Sequence, residues 1–220
     1  MTSSPMKLYN AQLSPFAARC RLAIYTKGID VEMIDVGPGD VPPELDTLTP
    51  MHKVPLLVHG DVVVPESETI CEYLEDLKLG TPLRPEGAAA IARMRLLARI
   101  GDLYIMEPMG NLFAQINPQG RDQALVDREM IELVKGIGWL EYYLDGSPFA
   151  VGGRLSLADC ALVPMLFFFD QIGPMFGEAA PLKHFPAVAE YYKGIQRHSA
   201  AAKVIAELDA ALRRMMGNKA

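Results

Sequence analysis

The segment 53–77, which reads KVPLLVHGDVVVPESETICEYLEDL, constrains the fold of this chain more than any other. Two short runs rich in Val and Leu, residues 56–58 and 62–64, flank the turn sequence His59-Gly60-Asp61. This pattern predicts a β-hairpin. Pro55 stands at the entrance of the first strand, where it cannot donate a hydrogen bond to a sheet ladder, so it indicates a bend or an edge.

A helix follows this hairpin directly. Apolar residues recur at spacings of three and four from Ile70 to Leu77, which is the period of an amphipathic helix. Ser67 precedes them as the expected N-cap, and Glu66 places a negative charge beside the same helix end. The segment therefore predicts a β-β-α unit.

The residues before this unit predict a β-α-β arrangement. Residues 6–9 and 31–36 are strand candidates, and an apolar-periodic helix lies between them. Ser14-Pro15 has the residue types of a helix start, and Lys27-Gly28 those of a helix end. Such a unit joins two parallel strands by a right-handed crossover, so the first third of the chain should form a small mixed sheet carrying helices.

Charge and composition place a domain boundary near residue 78. Residues 1–78 contain 6 Lys and Arg against 12 Asp and Glu, whereas the rest of the chain is balanced. Residues 79–87 contain two prolines and two glycines and read as a linker, and residues 88–220 show helical periodicity. We therefore predict an α/β domain over 1–78, a linker over 79–87 and an all-α domain over 88–220.

Two features of the helical part have definite structural consequences. Pro108 interrupts the long apolar-periodic segment 88–113, so a kink or break is expected there. Ser156 and Asp159 have the spacing of a capping box, which predicts that a helix begins at Leu157. That helix is apolar almost all round, so it should be buried.

Several classes of function are disfavoured by composition. No basic face for nucleic acid is evident, and no apolar run approaches the length of about 18 residues expected of a membrane span. Cys20, Cys71 and Cys160 lie far apart in apolar helical patterns, which favours buried thiols in a reducing, cytoplasmic compartment. The histidines do not cluster with these cysteines at ligand spacing, so no metal is expected.

Lys53-Val54-Pro55 followed by Glu66-Ser67 on a β-turn-β-α unit resembles the thioredoxin-like domain of cytosolic-type glutathione S-transferases. The linker, the helical half and the Ser156–Asp159 box extend the resemblance over nearly the whole chain, to a bacterial-like, serine-type member. The resemblance implies a thioredoxin-like domain followed by an all-α domain, glutathione as cosubstrate, attack on small hydrophobic electrophiles, and a homodimer. It implies cytoplasmic detoxification, with neither nucleic acid nor membrane as a partner.

Under this resemblance, Ser14 is the expected catalytic residue. A hydroxyl at a helix N-terminus can donate a hydrogen bond to a thiolate, and the helix dipole favours the anion as well. Tyr9 at the end of the first strand is the alternative, because other classes of the family activate the thiol with a tyrosine near that position. The residues expected to bind glutathione are His52, Lys53, Val54, Pro55, Glu66 and Ser67, with Asp102 reaching the glutathione of a partner subunit.

The expected binding roles follow the chemistry of the tripeptide. Ser67 and the helix N–H groups would bind the α-carboxylate of the γ-glutamyl group, and Glu66 would bind its ammonium. Val54-Pro55 would pair with the cysteinyl backbone, with Pro55 in the cis form, and Lys53 or His52 would meet the glycyl carboxylate. Apolar residues are expected to line an electrophile pocket between the two halves: Phe16, Tyr104, Met109, Phe113 and Phe168.

Two alternatives remain open at this point. The same fold could catalyse a glutathione-dependent isomerisation or dehalogenation, because the acceptor residues decide the reaction. It could also serve as a non-catalytic, glutathione-binding stress or interaction protein, because a fold does not by itself confer activity.

Overall fold

The computed structural model describes residues 5–37 and 42–217. In chain order its strands and α-helices are β1 Met6–Asn10, α1 Pro15–Lys27, β2 Glu32–Asp35, α2 Leu45–Leu48, β3 Leu56–His59, β4 Val62–Pro65, α3 Ser67–Asp76, α4 Ala88–Ile100, α5 Met106–Phe113, α6 Gln123–Tyr143, α7 Leu157–Ile172, α8 Pro186–Ile195 and α9 Ser199–Gly217. A π-helical turn, Gly101–Ile105, joins α4 to α5, and 3-10 turns form at Gly173–Phe176 and Pro181–His184.

The strands form one mixed four-stranded sheet in the order β2-β1-β3-β4. β1 pairs parallel with β2, whereas β3 is antiparallel to both β1 and β4. In the hairpin, His59 pairs with Val62, so only Gly60 and Asp61 form the turn. The thioredoxin-like sheet and the all-helical remainder that the sequence predicts are both confirmed.

Helix α1 begins and ends at the predicted residues. The Ser14 backbone is extended, Pro15 is the first helical residue, and the Ser14 side chain accepts a hydrogen bond from the Ala17 N–H at 3.2 Å. Gly28 ends the helix with φ of 66°, a left-handed conformation that glycine adopts without steric penalty.

The start of α3 differs from the prediction by one residue. Ser67 is the first helical residue rather than the N-cap, and Glu66 occupies the cap position without a side-chain capping bond. Glu66 has φ of 68°, which a non-glycine residue rarely adopts. This conformation turns the chain sharply between β4 and α3, so the helix begins directly at Ser67.

A buried ion pair fixes the segment that leaves this α/β unit. Lys27 at the end of α1 pairs with Glu75 on α3, and its ammonium also donates to the Thr81 carbonyl at 3.2 Å. The Glu75 carboxylate accepts from the Leu83 N–H at 3.0 Å. Gly80 has φ of 63°, and a Cβ there would lie 1.9 Å from the Lys27 carbonyl oxygen, so only glycine allows the backbones to approach this closely.

In the all-helical remainder of the chain, the interruption of the 88–113 segment precedes the expected proline. The chain forms its π-helical turn over Gly101–Ile105, and Pro108 lies in the first turn of α5. Proline cannot donate to the carbonyl four residues earlier and crowds it, so the irregular turn lies on the N-terminal side of Pro108. Helix α6 packs closely on this turn, because a Cβ at Gly136 would lie 2.2 Å from the Tyr104 carbonyl oxygen.

The capping box at the start of α7 is confirmed. The buried Asp159 carboxylate accepts hydrogen bonds from the Ser156 N–H and hydroxyl, the Ala150 N–H and the Tyr191 hydroxyl, at 2.7–3.0 Å. Burial raises the pKa of Asp159, and these hydrogen bonds act in the opposite direction. One carboxylate thus joins the 150–156 loop, α7 and α8.

One segment qualifies as a membrane span by length and composition, contrary to the expectation from sequence. Leu157–Phe176 has a mean hydropathy of 1.2 over its most apolar window, and 83% of that window is buried within the protein. The segment contains α7 and supplies the core of the helical unit, so its hydropathy reflects internal packing.

By contact the described residues form two compact units. The α/β unit contains the described chain up to Leu83 together with the residues from Ala202 onward, and the helical unit spans Arg84–Ala201. Most of α9 thus packs with the α/β unit, although its sequence has the same helical pattern as its neighbours. The boundaries taken from the sequence, with the first domain ending at residue 78 and the helical domain beginning at residue 88, remain predictions.

Candidate functional site

A cleft of about 170 Å³ opens on the α/β unit. Its lining comprises an aromatic side chain, both peptide segments singled out in the sequence and two further residues: Phe16, Met51, Lys53, Val54, Pro55, Pro65, Glu66 and Ser67. The cleft thus combines apolar walls with one cationic and one anionic side chain and a helix N-terminus. Such a combination suits a zwitterionic, peptide-like ligand.

The hairpin brings the two motif segments together. Leu56 pairs with Pro65, so Val54-Pro55, just before β3, and Glu66-Ser67, just after β4, lie at the same end of the hairpin. The Val54–Pro55 peptide bond is cis. The turn is one residue shorter than the predicted His59-Gly60-Asp61, and this two-residue turn places both segments on one cleft.

Helix α1 is anchored beside this cleft. The Cys20 thiol lies 3.7 Å from the carbonyl oxygen of the buried Ser67 and donates to it, which joins α1 to the start of α3. Phe16, in the first turn of α1, lines the cleft, so the N-terminus of α1 borders it. No acidic residue occupies that first turn, so the positive end of the helix dipole is not neutralised there.

Ser14 is the N-cap at this helix end, two residues before Phe16, and is not itself part of the cleft lining. Ser14 is half-buried, and its hydroxyl oxygen accepts from the Ala17 N–H, which leaves the hydroxyl proton for donation to a ligand. A hydroxyl at the positive end of a helix dipole can stabilise a thiolate.

Tyr9 lies in a different environment. It is buried with Leu45 and Leu56 in an apolar cluster of the α/β unit, and its hydroxyl lies 3.4 Å from the Glu44 carboxylate, to which it donates. Burial, and then the charge of Glu44, raise the pKa of Tyr9. Both effects make its hydroxyl a poor stabiliser of a second anion, so the geometry favours Ser14 over Tyr9.

The two cationic candidates differ as well. Lys53 is exposed and lines the cleft. The His52 ring lies 3.0 Å from the Asp46 carboxylate, measured from Nδ1, and is not part of the cleft lining. Lys53 is therefore the better placed partner for a ligand carboxylate.

The remaining candidates for the electrophile pocket belong to the helical unit. Tyr104 is 43% exposed on the π-helical turn, and its ring packs edge-on against that of Trp139, with the ring centroids 4.6 Å apart. The rings of Phe113 and Phe168 also pack edge-on, with their centroids 5.3 Å apart. Met109 is fully buried. The structure thus brings Phe113 and Phe168 together, and Met109 contributes to the core.

Two other observations complete the inventory of the site. Asp102 is half-buried on the π-helical turn. Among residues 5–37 and 42–217, no group of three or more His, Cys, Asp and Glu side chains is arranged to hold a metal ion. Sequence reasoning missed Met51 and Pro65; Pro65 could have been inferred from its position beside Glu66, whereas no motif marks Met51.

Comparison with known proteins gives two family matches that together cover most of the chain. Residues 8–82 match the glutathione S-transferase N-terminal domain, and residues 123–194 match the glutathione S-transferase C-terminal domain. The probable glutathione S-transferase GSTU1 of Oryza sativa subsp. indica is 34% identical over 167 residues, which cover 71% of each chain. Glutathione S-transferase 1 of Dianthus caryophyllus is 34% identical over 190 residues, 82% of each chain.

Solved structures share the fold. A glutathione S-transferase from Methylobacillus flagellatus KT, crystallised with GSH bound, superimposes with a TM-score of 0.78 at 22% identity, covering 90% of this chain and 98% of the other. The chain belongs to the glutathione S-transferase family. Its activity is accordingly that of a glutathione transferase, with glutathione as the thiol cosubstrate.

Proposed function

We propose that the cleft binds glutathione and that Ser14 stabilises its thiolate for attack on a small hydrophobic electrophile. The observation that carries the proposal is the composition of the cleft, which combines Lys53, the cis Val54–Pro55 pair, Glu66-Ser67 and Phe16 of the first turn of α1. In this reading the Ser67 hydroxyl and the free N–H groups of α3 bind the γ-glutamyl carboxylate. Glu66 binds the γ-glutamyl ammonium, and Lys53 binds the glycyl carboxylate.

The chemical contribution of the protein is thiolate stabilisation and positioning. The Ser14 hydroxyl donates to the sulfur, and the positive end of α1 favours the ionised form, so the thiol proton is lost to solvent at a lower pH. The bound thiolate then attacks the electrophilic carbon, a carbon–sulfur bond forms, and the leaving group departs with its electron pair. An apolar wall beside the sulfur would hold the acceptor, and Phe16 supplies such a wall in the cleft.

Replacing Ser14 by Ala should lower kcat/KM for glutathione conjugation by about 10²-fold, the effect typical of losing one hydrogen bond to a developing or bound anion. The pKa of the bound thiol should rise at the same time, as followed by the ultraviolet absorbance of the thiolate across a pH titration. Tyr9→Phe is the matched control, because it removes a hydroxyl that bonds to Glu44. If Tyr9→Phe abolished the thiolate signal and Ser14→Ala preserved it, the assignment would be reversed.

Glu66→Gln tests the recognition of the γ-glutamyl end. Loss of the charge opposite the ligand ammonium should raise KM for glutathione about tenfold with little change in kcat, since the interaction is the same in ground state and transition state. Asp61→Asn, the same chemical change in the exposed hairpin turn of the same unit, should leave both constants unchanged. A fall in kcat without a change in KM would contradict a binding role for Glu66.

The class of electrophile that accepts the thiolate is open to direct measurement. A substrate panel of aryl halides, epoxides and isothiocyanates, together with isomerisable and dehalogenable substrates, would separate conjugation from the other glutathione-dependent reactions. Binding of glutathione without any turnover would instead favour a non-catalytic role.

We place the protein in the cytoplasm, where glutathione is abundant and thiols stay reduced; all three cysteines are buried.

We also propose a homodimer, in which Asp102 reaches the glutathione of the other subunit. An apolar stripe on one side of α6 supports self-association, because Ile131, Val134 and Tyr142 recur at helical spacing and are 65%, 41% and 82% exposed. Light scattering should give twice the chain mass of 24.1 kDa. Ile131→Glu should shift that mass toward the monomer, and a monomeric wild-type protein would contradict the proposal.

A further inference from the structure

A buried arginine supports the loop that carries Ser14. Arg21 lies on α1, two turns beyond Ser14, and its side chain is only 1% exposed. One end of its guanidinium, Nη1, donates to the Asn10 side-chain oxygen at 2.5 Å and lies 3.4 Å from the Ala11 carbonyl oxygen. The other, Nη2, donates to the Gln12 carbonyl at 3.0 Å. The planar fork of arginine is suited to fixing such a set of acceptors in one geometry.

These acceptors belong to the turn that presents the serine. The Ser14 N–H donates to the Ala11 carbonyl at 3.0 Å, so Ser14 and Arg21 share one backbone acceptor. On the opposite side of the loop, the Asn10 and Gln12 amides donate to the Asp35 carboxylate at 2.6–3.0 Å. The loop is therefore held between Arg21 and Asp35, and the Ser14 backbone is bonded to it.

The charge of Arg21 is balanced by the C-terminal helix, which packs in the same compact unit. Nε of Arg21 lies 3.0 Å from Oε2 of Glu207 on α9, an ion-pair distance, and the Tyr25 hydroxyl donates to the other Glu207 oxygen at 3.0 Å. Burial, and then the charge of Glu207, raise the pKa of Tyr25 to about 12, so this phenol keeps its proton near neutral pH. The Lys203 ammonium lies 3.5 Å above the Tyr25 ring.

We propose that Arg21 and Glu207 are positioning residues for the thiol chemistry of Ser14, and that α9 thereby contributes to catalysis without touching glutathione. The proposal rests on the role assigned to Ser14 above. Arg21 fixes the conformation of the loop through its hydrogen bonds. Glu207 fixes the position of Arg21 by ion pairing, and Tyr25 fixes that of Glu207 by a hydrogen bond. None of these three side chains is in the cleft lining, so their effect is on the direction of a hydroxyl rather than on ligand contacts.

The sign of the expected effect separates positioning from simple electrostatics. Glu207→Gln removes a negative charge and leaves that of Arg21 uncompensated; acting through space alone, this change would favour the thiolate and lower the pKa of bound glutathione. Loss of positioning does the opposite, because a misdirected Ser14 donates a poorer hydrogen bond to the sulfur. We expect the pKa of the bound thiol to rise by about one pH unit, and kcat/KM on the acid limb to fall about tenfold, in Glu207→Gln.

The control and the second readout use the same helix. Asp209→Asn makes the same charge change two residues along α9, where Asp209 pairs with Arg213 at the surface, and it should leave the thiol pKa in place. Measured at a pH below the pKa of the bound thiol, where glutathione binds in its protonated form, the dissociation constant should stay within about twofold in Glu207→Gln. Amide hydrogen exchange in the peptide that spans residues 8–17 should become faster in Glu207→Gln alone.

The outcomes distinguish this inference from the role of Ser14. A lowered or unchanged thiol pKa in Glu207→Gln, or unchanged exchange in the 8–17 peptide, overturns the inference even if Ser14→Ala behaves as expected. If Ser14→Ala leaves the thiolate intact while Glu207→Gln accelerates exchange in that peptide, the role of Ser14 fails and only the support of the loop survives. Should Glu207→Gln not fold, Tyr25→Phe keeps both charges, loosens Glu207, and must shift the thiol pKa in the same direction by a smaller amount.

Discussion

Asp159→Ala should lower the free energy of unfolding of the helical unit by about 3–5 kcal/mol, the range seen when one member of a buried polar network is removed. The substitution leaves the Ala150 N–H, the Ser156 N–H and the Tyr191 hydroxyl buried without their shared acceptor. It also removes the capping interaction at the first turn of α7, the most apolar helix of the unit. Urea unfolding followed by circular dichroism measures the change.

Two further variants show which part of the network carries the loss. Tyr191→Phe removes one hydrogen bond and should cost about 1 kcal/mol. Asp127→Ala is the matched control, because Asp127 is an exposed helical carboxylate that accepts from Gln123, and its loss should stay within about 0.5 kcal/mol. A value for Asp159→Ala as small as that of this control would show that the network does not stabilise the fold.

The elements of the candidate site were predictable because each one depends on neighbours in sequence. The turn sequence His59-Gly60-Asp61 predicted the hairpin, in which His59 proved to pair with Val62, and the hairpin alone brings Val54-Pro55 beside Glu66-Ser67. The start of α1 was predictable for the same reason, since Ser14-Pro15 is a local helix signal.

Features that depend on distant parts of the chain could not be predicted. Tyr9 and Ser14 were rivals because a strand pattern does not reveal what meets the Tyr9 hydroxyl, and in the structure Glu44 does. The pairing of Arg21 with Glu207 joins α1 to the last helix, and no spacing in the sequence marks it. The start of α3 was one residue off because a positive φ at Glu66 is set by the turn, which the residue type alone does not indicate.

The buried pair of Lys27 and Glu75 gives the second large prediction. Both side chains are nearly inaccessible, at 1% and 6% exposed, and they hold the ends of α1 and α3 against the segment that leaves the α/β unit. Glu75→Gln keeps an oxygen that can accept from the Leu83 N–H but leaves the Lys27 charge buried without a counter-charge. The expected loss in free energy of unfolding is about 3–5 kcal/mol, measured by urea titration.

The same carboxylate-to-amide change at the surface of the unit provides the control. Glu32 pairs with Lys7 at 3.5 Å, both side chains are well exposed, and Glu32→Gln should change stability by less than about 1 kcal/mol. The double variant Lys27→Met/Glu75→Leu removes both charges and should recover part of the loss, because burying two charges carries its own desolvation penalty. Recovery should be incomplete, since the Thr81 carbonyl and the Leu83 N–H lose their partners in the double variant. A double variant less stable than Glu75→Gln would instead show that the ion pair itself, rather than the isolated Lys27 charge, dominates the free energy at this position.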